Sequence, residues 1–186
     1  MVINQRAGGT VTIPATTDTY TLDRWKGYAS QASKFTIQQS STAPAGFINS
    51  LLATSSSAYT VGASEEFDIC QFIEGLNCSD LGFGSANAKT ITLSFWVRSS
   101  LTGTFGGALQ NSGSTRSYVF SYTISSANTW EQKSITIAGD TSGTWLTTNG
   151  IGINCTFGIG QGSSLTNTAG SWYTGNYNNV TGATSV

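Results

Sequence analysis

Residues 90–98 read TITLSFWVR, and this strict alternation constrains the fold more than any other feature of the chain. Successive side chains of an extended segment point to opposite faces. Ile91, Leu93, Phe95 and Val97 therefore share one face, and Thr92, Ser94, Trp96 and Arg98 share the other. A helix would scatter the same residues around its axis. The apolar set is expected to face a core and the polar set to face away from it. Residues 116–124, RSYVFSYTI, repeat the pattern with Tyr118, Phe120, Tyr122 and Ile124 on one side. Residues 133–138, KSITIA, follow Trp130, and residues 150–160, GIGINCTFGIG, set Ile151, Ile153, Cys155, Phe157 and Ile159 in register. Shorter strand candidates lie at 20–25, 35–39, 59–61 and 66–73. Gly, Ser, Asn and Asp punctuate these runs at roughly the 8–12-residue spacing of sandwich strands. Residues 79–88, SDLGFGSANA, predict one short helical turn at most. The doublet Gly106-Gly107 reads as loop or bulge glycine.

Strands without crossover helices cannot build a parallel sheet, so α/β folds are excluded. The expectation is an all-β, antiparallel β-sandwich in a single domain over residues 1–186, with a closed antiparallel barrel as the alternative. A short N-terminal arm (about 1–19) and an irregular C-terminal segment (about 161–186) flank it, and residues 40–46 and 162–170 read as surface loops.

Composition narrows the partners. The chain is 38% hydrophobic but only 9% charged, against about 25% charged in ordinary globular chains. Its surface is expected to be hydroxyl- and amide-rich. The net charge is −1, and the eight Lys and Arg residues form no run. Nucleic-acid binding needs clustered cations, so no nucleic-acid partner is expected. No apolar run approaches the ~20 residues of a membrane span, so no membrane insertion is expected. The opening MVINQRAGGT does not read as a signal peptide.

Histidine is absent. The base near neutral pKa that Ser-His-Asp and Cys-His sites need is therefore missing, and the chain is not expected to be an enzyme. No GxxxxGK[ST] phosphate loop occurs. Glycoside hydrolysis needs two carboxylates facing one bond, and the densest acidic group is Glu65, Glu66 and Asp68. Glu66 and Asp68 fall on one face of a strand, one pleat apart. That spacing fits a water-facing pair or a calcium site better than an acid/base pair, so no cofactor is expected apart from calcium at Glu66 and Asp68. Cys70, Cys78 and Cys155 are too few for a disulfide framework and read as small half-buried thiols, although a Cys70–Cys78 bridge fits the spacing.

The positive signal is aromatic, with five Trp, seven Tyr and nine Phe. Flat rings stack on the apolar faces of sugars, and amides and hydroxyls bond their edges. Trp96 points away from the apolar set, and Arg98 beside it offers a planar fork for hydroxyls or carboxylates. The competing reading is that a loop or a neighbouring subunit covers this face. Trp172, Tyr173 and Tyr177 lie in SWYTGNYNN, the aromatic-plus-Asn composition of adaptable binding loops, or of a tail clamped to a partner. Trp25 and Trp130 are expected to be structural.

Two segments carry a resemblance. TITLSFWVRSSLTGTFGGALQ, followed by TISSANTWEQKSITIAGDTSGTW, resembles the core of jelly-roll carbohydrate-binding modules. The opening INQRAGG…YTLDRW…SKFTIQQ resembles the start of tail-fibre-like structural proteins of tailed phages. The similarity spreads over most of residues 3–186, and DRW with LSFWVRSS is its most specific part. It implies a jelly-roll virion protein, a tail fibre or capsid decoration, contributing to host-surface attachment. It further implies partnership with other virion proteins, a homo-oligomer with a trimer favoured, and a possible host-surface glycan ligand. Of the sugar modules' binding positions, only Trp96 and Arg98 carry over. Such phage proteins also contain a last strand of ITGVQLE type that is missing here, so another chain is expected to complete the sheet, or the protein is shortened. A stand-alone glycan-binding module is the alternative, and a polysaccharide depolymerase the weakest reading.

Overall fold

The computed structural model describes residues 4–6 and 8–186, so residues 1–3 and 7 of the expected N-terminal arm lie outside the described residues. The strands follow in order as β1 (Val11–Thr12), β2 (Thr19–Tyr20), β3 (Trp25–Ala29), β4 (Phe35–Ser40), β5 (Ser50–Ser55), β6 (Glu66–Glu74) and β7 (Ile91–Val97). Then come β8 (Gly103–Gln110), β9 (Arg116–Ile124), β10 (Glu131–Ile137), β11 (Ile151–Gln161), β12 (Thr166–Asn167), β13 (Ser171–Thr174) and β14 (Asn179–Val180). Three single-turn 3-10 helices are the only helical elements among the described residues, one of them at Ser79–Leu81 where the sequence predicts a turn.

A seven-stranded sheet, ordered β13-β9-β8-β11-β6-β3-β2, forms one layer and is antiparallel throughout. Facing it are two smaller antiparallel pieces, the three-stranded β1-β4-β5 and the ribbon β10-β7. The fold is thus the expected antiparallel β-sandwich, with its front layer split in two. The chain crosses repeatedly between the layers, with β2-β3, β4-β5 and β8-β9 as hairpin neighbours within one sheet, and β11 enters between β6 and β8.

The split produces two apolar clusters. Ile13, Phe35 and Ile37 pack on Ala29, Phe67 and Ile69 beneath the three-stranded piece. Beneath the ribbon, Ile137, Leu93 and Ile91 pack on Leu109, Phe120 and Ile153. Phe157 joins the two, with its ring 6.2 Å from that of Trp25, 5.0 Å from Phe95 and 5.7 Å from Phe120. The alternation in β7 is realised as read: Leu93 and Phe95 turn inward and Trp96 outward.

Several expectations change. Residues 59–61 are not a strand, and β5 arises from SLLATS, which is too weakly patterned to stand out. Gly106 and Gly107 are not loop residues but the middle of β8, buried on both faces. The arm is not free, because β1 pairs with β4 and Ile13 is fully buried. The C-terminal segment is ordered too. β13 joins the edge of the large sheet, and residues 175–186 cross its back face, where Asn179 and Val180 approach Gly106. All three cysteines are free thiols. Burial raises the thiols of Cys70, Cys78 and Cys155, that of Cys155 to about 12, which keeps them protonated.

Candidate functional site

The outer face of the β7–β10 ribbon is built directly from the alternation. Trp96 pairs with Gln132, Ser94 with Ser134 and Thr92 with Thr136. All six side chains are exposed. Inward neighbours Leu93 and Ile135, with Phe95 on the Tyr122 and Phe157 rings, anchor the ribbon to the core from behind. Trp96 is 40% exposed.

The five tryptophans divide sharply. Trp145 and Trp172 donate their indole N–H groups to the carbonyls of Ser142 and Ala138, at 3.1 and 2.7 Å. Their rings lie 5.4 Å apart, and both pack on Phe83. Trp25 packs on Phe157. Trp96 and Trp130 have neither a ring partner nor an indole hydrogen bond among the described residues. Trp130 is half-buried and lies just before β10; continuing the ladder one step past its last registered pair, Glu131–Val97, would set it against Arg98 on the outer face.

Arg98 is exposed and donates its Nε–H to the carbonyl of Asn128 at 2.8 Å. Asn128 holds a left-handed turn (φ 58°) whose amide donates to Ser99. This turn fixes the root of the guanidinium. The nearby Glu131 is already engaged. Its carboxylate accepts from Lys133 at 2.6 Å and from the amides of Ser125 and Ser126, and these contacts, led by Lys133, hold it below the usual carboxylate range.

The second aromatic group does not join this face. Trp172 is not in a loop: it lies in β13 opposite Tyr118, with its ring in the core at 5.3 Å from that of Tyr118. Tyr173 alternates to the back of the large sheet and meets Tyr177, ring centroids 5.8 Å apart. Both are half-buried. Trp96 with Arg98 and Tyr173 with Tyr177 therefore occupy opposite sides of the sandwich.

Glu66 and Asp68 share the back face of β6, as read, but they are not arranged as a calcium cage. Calcium takes six to eight oxygens. Here Gln161 donates its amide N–H to Asp68, and Asn178 donates to Glu66. The Gln161 orientation is fixed by a second bond to the Phe67 carbonyl at 2.9 Å and by Asn179 donating to its Oε1 at 2.7 Å. Lys26, paired with Asp18 at 2.8 Å, adds a cation to the cluster. Among the described residues, no group of three or more Cys, Asp or Glu converges to hold a metal. The pair instead anchors the C-terminal segment, and Gln110 adds amide bonds to Asn176 and Asn178.

This anchoring has a pH signature. Burial raises the Asp68 carboxyl well above its ordinary 3.8, with the Glu66 charge adding and Lys26 opposing. Burial likewise raises Glu66 above 4.5, opposed by its Asn178 bond and Lys26. A carboxyl that holds its proton more tightly when folded makes its full contribution below its unfolded value. That contribution is lost as pH rises through the folded value. Glu65 and Glu131, shifted downward, change stability only at lower pH. Urea unfolding free energy is expected to fall as pH rises above the ordinary carboxylate range of about 4, and Asp68→Asn to remove most of that slope. An unchanged slope in the variant would contradict the assignment.

No protein family, no curated protein and no solved structure matches this chain.

Proposed function

We propose that this chain is a binding module without catalytic chemistry, a structural component of a bacteriophage particle that attaches to a host-surface glycan through the outer face of the β7–β10 ribbon. The observation that carries the reading is Trp96, exposed and unpartnered on a face of hydroxyls and one amide. An exposed indole with no internal partner keeps both its ring face and its N–H for a ligand. Ser94, Ser134, Thr92, Thr136 and Gln132 surround it with donors and acceptors suited to sugar hydroxyls. The virion assignment rests on the resemblance of residues 3–39 to tail-fibre-like phage proteins, and the glycan reading is supported by that of residues 90–110 and 123–145 to carbohydrate-binding modules. Assembly as an oligomer is supported by the ribbon, whose strands pair only with each other among the described residues and leave edges open to a partner.

Trp96→Ala is expected to weaken binding on a host-glycan array roughly tenfold or more. Because the ring lies on the outer face and packs on no other ring among the described residues, the melting temperature should fall by only about 2–4 °C. Glycan binding that survives Trp96→Ala unchanged would sink the choice of face. Mass spectrometry of purified particles tests the virion assignment separately. The chain is expected among the structural proteins, and its absence would leave a stand-alone glycan-binding module.

A further inference from the structure

We infer that the ligand of the ribbon face is an acidic polysaccharide carrying carboxylates, held by the Arg98 fork beside the Trp96 and Trp130 rings. This inference rests on the glycan reading of the same face. The chain has eight cationic side chains. Lys26, Lys89, Arg116 and Lys133 are paired with Asp18, Asp80, Asp140 and Glu131. Arg6 and Lys34 lie over the rings of Tyr20 and Tyr59. Of the described cations only Arg24 and Arg98 have neither kind of partner. Arg24 adjoins Trp25, whose ring is turned onto Phe157, whereas Arg98 stands beside two unpartnered indoles.

Arg98 is also prepared for a ligand. Its Nε–H is held by Asn128, so rotation of the head group is limited. Its two terminal amino groups have no acceptor among the described residues. A guanidinium remains charged at every working pH, and its parallel N–H pairs match the two oxygens of a carboxylate. The face brings no carboxylate of its own: Thr92, Ser94, Gln132, Ser134 and Thr136 are neutral, and Glu131 is committed to Lys133. A single uncompensated cation on a neutral stacking platform favours a sugar that brings the anion. Cross-strand diagonal neighbours such as positions 96 and 130 lie about 7–8 Å apart, so the two rings lie close enough to contact one saccharide chain.

The test uses the intact chain and matched probes. Polygalacturonate and alginate are each compared with their carboxyl-reduced forms, in which every uronate is a neutral hexose, by affinity electrophoresis and calorimetry. At least one acidic polymer is expected to bind about tenfold more tightly than its reduced form, corresponding to one charge-assisted contact. Arg98→Gln should bring that ratio to about one, and Arg98→Lys should leave it between the two, because the charge remains and the fork is lost. Trp130→Ala should weaken binding of both forms. Equal affinity for acidic and reduced polymers, or a preference that survives Arg98→Gln, overturns the carboxylate inference and leaves the glycan platform standing. Binding only to neutral array glycans has the same consequence. No binding to any polymer or array glycan overturns both readings.

Discussion

Gly107→Val is expected to yield no folded protein. Gly107 lies in the middle of β8, opposite Phe120 on one side and Phe157 on the other. A Cβ built there would meet the backbone carbonyl of Thr156 and come within 2.7 Å of the Phe120 ring. The ring has some freedom to shift, but the carbonyl belongs to the neighbouring strand β11 and cannot. Overpacking usually costs about 1–3 kcal/mol. A collision with sheet backbone belongs at the upper end for Gly107→Ala and beyond it for Val, on the order of 4 kcal/mol or more. Whole domains of this kind are stable by only about 5–15 kcal/mol. Soluble yield and a urea melt provide the readout. Adding Phe120→Leu to Gly107→Ala should restore only part of the loss, since it relieves the ring contact and not the carbonyl. A Gly107→Val protein with wild-type stability would contradict the packing described.

Phe120→Ala is expected to destabilise by about 3–5 kcal/mol, lowering the melting temperature by on the order of 10 °C. Phe120 is 1% exposed, and its ring lies 5.7 Å from that of Phe157, the residue that joins the two apolar clusters. Removing it opens a void where both layers and both clusters meet, and neighbouring strands held by ladder bonds on each side cannot collapse to fill it. Trp96→Ala, which removes a larger but outward-facing ring, is expected to cost far less. The contrast separates burial from size. A thermal melt of the two variants side by side checks it, and equal losses would show that Trp96 is buried.

How far the sequence can be read follows from the same physics. β7 and β10 are legible because one side faces a core and the other does not, while β9 and β11, covered on both faces, are legible because their large apolar residues still alternate with smaller ones. β8 was hidden because both its faces are covered: it reads TFGGAL, small where Phe120 and the C-terminal segment press in. Small residues on both faces leave no alternation of size to mark the strand. Trp172 was misplaced for a related reason. Its strand has four residues flanked by Gly and Asn, too short for a period to show, and only the fold brings Phe83, Tyr118 and Trp145 around it. Glu66 and Asp68 were correctly set on one face, but the amides that occupy them come from Gln161 and Asn178, far away in the chain. Local sequence reported the face and could not report what covers it. Trp96 is within reach because its alternation alone sets it on the outer face.

The indole N–H resonances of the five tryptophans test the central claim most directly. In a titration of the isotope-labelled chain with host-surface polysaccharide, Trp96 and Trp130 should move, while Trp25, Trp145 and Trp172 stay in place. Saturable binding that shifts Trp145 or Trp172 and leaves Trp96 untouched would put the contact surface elsewhere and contradict the account.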